Sequence, residues 1–215
     1  MKLSILASGQ GSNLKALARA IDEGRCHATI AGVISDRPEA PALSFAGARG
    51  IPTIVVPPKA FGTRPLWDAA LADAIDRLTP DLVVLAGFMK IVGPAVLARY
   101  GGNIVNVHPS LLPAFPGLDA PAQALSKGVT VSGCTVHLVD AGVDTGPILA
   151  QAALPVRADD DAERLHERIQ RAEHALLPAV IHAIATGALT LGERPRYRED
   201  PAVDTFCEAW PPLIV

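Results

Sequence analysis

Lys2-Leu3-Ser4-Ile5-Leu6-Ala7-Ser8-Gly9-Gln10-Gly11-Ser12-Asn13-Leu14 is the stretch from which the fold can be read. A short apolar run ends on two glycines and passes into a helical pattern over 13–23, the strand–turn–helix opening of an α/β protein. The glycines allow a tight turn, and the free N–H groups of the first helical turn then face an incoming anion, a phosphate above all. Ser12 and Asn13 can add side-chain donors, or serve simply as helix caps. Two nucleotide loops are excluded. Leu14 stands where the dinucleotide fingerprint needs its third glycine, and no G-x-x-x-x-G-K-[ST] run occurs. Asp36, at the end of the second apolar run, still occupies the place of a ribose-binding acid.

Working outward, apolar runs at 28–34, 53–56, 81–85 and 103–107 alternate with helical patterns at 40–49, 64–78 and 94–100. Several of these runs are continuous Val, Ile and Leu, as strands covered on both faces require. After residue 110 the rhythm changes. Residues 110–117 hold two prolines and a glycine and read as a loop, and 121–127 reads as a short helix. Two further strands, 129–139 and 146–156, are joined by a six-residue loop that favours an antiparallel pair. Asp159-Asp160-Asp161 places negative charge at the start of a long helix running to about residue 186, where Gly187 can stop it. The expected fold is α/β: a Rossmann-like, mostly parallel sheet with a C-terminal antiparallel strand pair and a long C-terminal helix.

Composition narrows the function classes. The 215 residues suit one domain with an appended arm, and 49% hydrophobic against 19% charged residues rules out disorder. No uncharged apolar run reaches the ~18 residues of a membrane helix. Gly9, Gln10 and Gly11 interrupt the opening run too early for a signal peptide. A net charge of −3 lacks the basic surplus of a nucleic-acid binder. Cys26, Cys134 and Cys207, odd in number and far apart, fit neither a disulfide framework nor a zinc module. They indicate a reducing, cytoplasmic setting.

Two constellations could carry chemistry. Asn106 and His108 alternate onto one face at the end of a strand, near the carboxyl edge where α/β sheets bind ligands. An amide beside an imidazole can clamp an oxyanion and donate a proton in acyl transfer, although such a pair can equally cap a loop. The turn at 140–146 carries Asp140 and Asp144, with Gly142 and Gly146 to let it approach a ligand. An Asp144 carboxylate against His108 would favour the imidazolium and ready it as a general acid. His137 shares a strand face with Thr135 and could line the same pocket or be structural. His166, Glu173 and His174 show no H-E-x-x-H pattern, and Cys134 and His137 fall on opposite strand faces, which defeats a metal pair.

Taken together, 8–14, 85–91 (Leu-Ala-Gly-Phe-Met-Lys-Ile), 106–113 (Asn-Val-His-Pro-Ser-Leu-Leu-Pro), 116–118, 136–140, 144–147 and 171–174 resemble the glycinamide ribonucleotide formyltransferase family over about residues 1–190. The resemblance implies formyl transfer from 10-formyltetrahydrofolate, a co-substrate, to glycinamide ribonucleotide in purine synthesis, without metal. It implies a catalytic unit over 1–190, with a phosphoribosyl-binding half over about 1–100, a folate-binding and catalytic half over about 101–190, and an arm at 191–215. Asn106, His108 and Asp144 match the family's catalytic trio. Gly11, Ser12 and Asn13 match its phosphate loop, and Glu173 the carboxylate on the sugar hydroxyls. Met89, Lys90, Ile91 and Val92 match the segment whose backbone, with Asn106, meets the folate, and Arg64 a basic residue near its benzoyl-glutamate end. Lys90 replaces an arginine common in the family, and Asp119 and Pro121 replace histidines of some members, so that loop receives no role. The expected partners are small molecules, with no nucleic acid and no membrane, and the oligomeric state, monomer or homodimer, is left open. Formyltetrahydrofolate hydrolase is the alternative enzyme; its usual N-terminal regulatory domain is not expected here, because the first strand starts at residue 2. Methionyl-tRNA formyltransferase would need a tRNA-binding domain and a basic surface. A non-catalytic nucleotide-binding module would employ the glycine loop and Asp36 but leave Asn106, His108 and Asp144 idle.

Overall fold

The structure, a computed structural model, describes residues 1–198. Strands β1 (Lys2–Leu6), β2 (Thr29–Ser35), β3 (Thr53–Val55), β4 (Leu82–Leu85), β5 (Ile104–His108), β6 (Val131–Leu138) and β7 (Ile148–Pro155) form one sheet in the order β3-β2-β1-β4-β5-β6-β7. The pairs from β3 to β5 are parallel, and β6 runs antiparallel to both β5 and β7. The mostly parallel sheet and the antiparallel pair at its C-terminal end are therefore as expected. The sheet continues without a break across residue 100, because β4 and β5 pair directly.

Alternation along the buried strands feeds two cores. Leu3, Ile5, Leu82, Val84, Val105, Val107, Cys134 and Val136 face one side, which is covered by α1 (Ser12–Asp22), α2 (Pro41–Ala48), α5 (Ala120–Ser126) and α6 (Ala162–Ala185). Leu6, Ile34, Val83, Leu85 and Ile104 face the other side, covered by α3 (Arg64–Asp76) and α4 (Pro94–Tyr100). At ~25 cal/mol per Å² of apolar surface, this two-sided burial is the main stabilising contribution. The long helix α6 starts where the acidic run predicts, and Asp161 supplies the cap by accepting the Arg164 N–H at 2.8 Å. Asp160 has a different duty: it accepts the Arg157 N–H at 2.8 Å and pairs with Arg168 at 2.5 Å, pinning the β7–α6 connection.

The topological switch lies between β1 and β4, where the chain leaves one side of the sheet order for the other. Ligands bind outside the carboxyl ends of strands at such a point. There the two loops are tied together: the Ser8 N–H donates to the Gly87 carbonyl at 3.0 Å, and the Met89 N–H donates to Ser8 Oγ at 2.8 Å. Of the expected arm at 191–215, Arg196–Tyr197 (β9) pairs with Leu189–Thr190 (β8) as a short antiparallel ribbon. Residues 199–215 of the arm, including Cys207, lie outside the described residues.

Candidate active site

A cleft of about 700 Å³ opens over the ends of β4 and β5, floored by Leu85, Asn106 and His108 and walled by Met89, Leu118 and Val143. Strand register builds its polar floor. Asn106 faces His137 as a ladder partner, and His108 faces Thr135. The β6–β7 register shifts between Val136 and His137, a bulge of the kind that re-aims side chains beside a site. Asp144 arrives from the β6–β7 loop in a left-handed conformation with φ 56°. Asn106, His108 and Asp144, far apart in sequence, are thus brought together.

Asp144 is the hub. Its Oδ2 lies 3.3 Å from His108 Nδ1 and accepts the Gly117 N–H at 2.8 Å. Its Oδ1 lies 3.5 Å from Asn106 Nδ2 and 3.6 Å from His137 Nε2. Burial by itself would raise the Asp144 pKa. The hydrogen bond with His137, the Gly117 N–H and the charges of His108 and His137 outweigh it, and the carboxyl is held below its ordinary range. His108 Nε2 meets the Phe115 carbonyl at 2.9 Å, so both ring nitrogens face acceptors, an arrangement that an imidazolium satisfies with two donated N–H groups. The pair sets a carboxylate that stays ionised at neutral pH against an imidazole.

The loop 110–117 that supplies Phe115 and Gly117 is held from below. Thr135 Oγ1 donates to the Ser110 carbonyl at 2.7 Å and accepts both the Leu112 N–H and Gln151 Nε2 at 3.0 Å. Asp140 shapes the Asp144 loop by accepting the Gly142 N–H at 3.0 Å and the Thr145 hydroxyl at 2.7 Å. The glycines there are required by the close packing of the loop itself, and Gly142 also lines the cleft. A Cβ on Gly146 would stand 1.9 Å from the Leu138 carbonyl oxygen, and one on Gly142 would stand 2.0 Å from Thr145 Oγ1.

The phosphate-loop residues form a second group. Gly11, with φ +66°, is the N-cap of α1, and no side chain caps that helix, so neither Ser12 nor Asn13 serves as the cap. A Cβ on Gly11 would lie 2.8 Å from the Ala42 Cβ, so α2 closes tightly over the turn. Asn13 does not offer its side chain to the turn as expected. It is buried, and its Nδ2 donates to Glu173 Oε2 at 2.8 Å. Burial pushes the Glu173 carboxyl up to about 7, against the opposing effect of the Asn13 bond. Gly11, Ser12, Asn13 and Glu173 are not among the residues lining the cleft. Asp36 is 6% exposed, with one carboxylate oxygen buried and unpartnered.

Of the expected folate residues, Met89, Lys90, Ile91 and Val92 line the cleft and Arg64 does not. The Arg64 guanidinium donates to the Ile91 carbonyl and lies 4.6 Å over the Trp67 ring. His137 is the side chain that sequence reasoning left outside the trio. It is 2% exposed, its Nδ1 meets the Leu138 carbonyl at 2.8 Å, and its Nε2 is 3.1 Å from Asn106 Nδ2. The sequence signal was its shared face with Thr135; the ladder pairing with Asn106 was not legible. Among the described residues no three His, Cys, Asp or Glu side chains are grouped to hold a metal ion, and no helix is long and apolar enough to cross a membrane.

A mostly parallel sheet with a cleft over the carboxyl ends of β4 and β5, holding an amide, an imidazole and an ionised carboxylate, defines an α/β group-transfer enzyme. Residues 1–181 match the family model described as formyl transferase. The phosphoribosylglycinamide formyltransferase of Mycobacterium tuberculosis is 48% identical over 190 residues, 88% of this chain and 87% of that protein. The crystal structure of glycinamide ribonucleotide transformylase 1 from Symbiobacterium toebii superposes with a TM-score of 0.89 at 45% identity, covering 93% of this chain and 94% of that one. The bovine trifunctional purine biosynthetic protein adenosine-3 is 42% identical over 91% of this chain, which spans 19% of its length. The chain belongs to the formyl transferase family, among the phosphoribosylglycinamide formyltransferases.

Proposed function

We propose that the chain transfers the formyl group of 10-formyltetrahydrofolate to the primary amine of 5-phosphoribosylglycinamide, giving the N-formyl product and tetrahydrofolate in purine biosynthesis. The observation that carries this reading is the convergence of Asn106, His108 and Asp144 at the floor of one cleft. The amine attacks the formyl carbon, and the carbonyl π electrons move to oxygen. Asn106 Nδ2–H and the His108 side chain, once it turns an N–H from the Phe115 carbonyl to the substrate, stabilise that oxyanion. Asp144 helps carry the proton from the attacking nitrogen, through water and His108, to N10 of the folate as the C–N10 bond breaks. Holding two substrates together supplies much of the acceleration, and the step uses no metal and no covalent enzyme intermediate.

Met89 to Val92 would meet the pterin through their backbone. In support, no backbone hydrogen bond to the described residues occupies the peptide groups of Lys90 and Val92. Asn106 would touch the formyl end, and Arg64 would act near the benzoyl-glutamate end. The uncapped N–H groups at the start of α1, at Ser12 and Asn13 beyond Gly11, suit the substrate phosphate, and Glu173 its sugar hydroxyls. Residues 1–190 are read as the catalytic unit, with phosphoribosyl (1–100) and folate-catalytic (101–190) halves and an arm at 191–215. The free, buried thiols of Cys26 and Cys134 support a cytoplasmic enzyme. The test follows tetrahydrofolate release with and without the ribonucleotide amine. Release that requires the amine is expected, and equal release without it would replace this reading with hydrolysis.

A further inference from the structure

Among the buried carboxylates that the catalytic reading leaves unused, Asp68 is the one whose two oxygens are both engaged. Asp68, on α3, is 2% exposed, and no cationic side chain pairs with it among the described residues. Both of its oxygens are nevertheless engaged. Oδ1 accepts the Gly93 N–H and Oδ2 accepts the Ala95 N–H, each at 2.7 Å. These are the first N–H groups of α4, whose own N-cap is a glycine with no side chain and whose first helical residue, Pro94, has no N–H. The cap that α4 cannot supply comes from α3, with negative charge placed at the positive end of the helix. Gly93 is what allows the approach: a Cβ there would lie 2.5 Å from the Asp68 carboxyl carbon.

Asp68 does not act alone. Arg64, Trp67 and Asp68 stand at i, i+3 and i+4, on one face of α3. Arg64 binds the Ile91 carbonyl, Trp67 stacks on Phe88 with ring centroids 6.5 Å apart and planes 12° apart, and Asp68 holds Gly93 and Ala95. Trp67 is itself fixed by donating Nε1–H to the Val56 carbonyl at 2.8 Å. With Ser8 Oγ on the Met89 N–H, the irregular segment 88–95 is fastened at its start, middle and end by groups outside it. Between those fastenings lie the peptide groups of Lys90 and Val92.

We infer that Asp68 is a positioning residue for folate recognition: by capping α4 it sets the backbone of 89–92 in the conformation that meets the pterin. The inference rests on the proposed folate role of that segment. A buried carboxylate with two charge-assisted bonds holds such a segment far more tightly than loop contacts do. Asp68→Asn is nearly isosteric but turns an N–H₂ toward one of the two backbone donors, so one bond is lost and a repulsion replaces it. Gly93→Ala disturbs the same contact from the opposite side.

The experiment compares wild type, Asp68→Asn and Gly93→Ala by hydrogen exchange of the peptides covering 86–96 and by steady-state kinetics with each substrate varied separately. Both variants are expected to exchange faster in that segment. Each should raise KM for 10-formyltetrahydrofolate at least about tenfold while KM for the ribonucleotide changes less than about twofold. The double variant should be no worse than the poorer single one, since both remove one contact. Unchanged exchange overturns the inference, as does faster exchange with an unaltered folate KM. Equal losses toward both substrates also overturn it, because they mark a general structural role. Failure of the folate reading would show separately, as wild type that does not turn over 10-formyltetrahydrofolate.

Discussion

Replacing Glu173 by glutamine tests the electrostatics of the second polar group directly. Glu173 is 5% exposed, and its carboxyl ionises at about 7 against an ordinary 4.5. The cause is burial on α6 with one neutral amide partner, Asn13. A group whose pKa is raised by folding contributes full stability below its unfolded value and loses that contribution as pH rises through its folded value. The window is therefore 4.5 to about 7, and the loss once ionisation is complete is about 3 kcal/mol. Glutamine keeps an oxygen to accept the Asn13 N–H and has nothing to ionise. Urea unfolding of both proteins from pH 4.5 to 8.5 should show wild type losing about 3 kcal/mol relative to Glu173→Gln across that range. Asn13→Ala, which removes the bond that opposes the shift, should move the wild-type transition to still higher pH. Stability curves for wild type and Glu173→Gln that run parallel would refute the reasoning.

Three further outcomes follow from the site. His108→Ala and Asp144→Ala should each lower kcat about 10²- to 10⁴-fold with melting temperatures near wild type; a formyl-transfer assay showing near-normal turnover would remove that residue from the mechanism. Thr135→Val strands the Leu112 N–H and the Ser110 carbonyl. It should cost about 2–4 kcal/mol in denaturant unfolding and lower kcat by slackening the loop that holds His108 and Asp144. Gly146→Ala must displace the Leu138 carbonyl or the loop. A drop in kcat of at least about tenfold is expected, checked alongside circular dichroism to show that the sheet persists.

Much of the fold was legible because its strands are buried on both faces. Leu82–Leu85 is continuous Leu-Val-Val-Leu, and such a run has few other readings. Helix α6 announced itself by acidic residues at its start and a glycine beyond its end. The site was legible where local spacing decided it: Asn106 and His108 share a face because side chains alternate along a strand. Partners across space were not. Asn13 looks like a phosphate donor in its own turn, yet its side chain is spent on Glu173, 160 positions away. Arg64 is matched to the folate only through the family resemblance, and nothing in the sequence shows that its guanidinium would meet the Ile91 carbonyl and the Trp67 ring. His137 carries no mark that distinguishes it from a structural histidine until the antiparallel register sets it opposite Asn106. Residue type and period are written in the chain, whereas pairing is decided by packing.

The members of the floor differ in how they are anchored. Asn106, His108 and His137 are fixed in the hydrogen-bonded ladder of β5 and β6, whereas Asp144 is delivered by a short connection whose shape depends on Asp140, Thr145 and two glycines. The reactive centre is therefore modular: a permanent chassis of strand residues and one interchangeable part. Grafting a different seven-residue segment at 140–146 would exchange the proposed proton carrier, provided the graft keeps an acceptor for the Gly117 N–H and a glycine beside the Leu138 carbonyl. That connection is where new acyl-group chemistry could be engineered with the fewest changes.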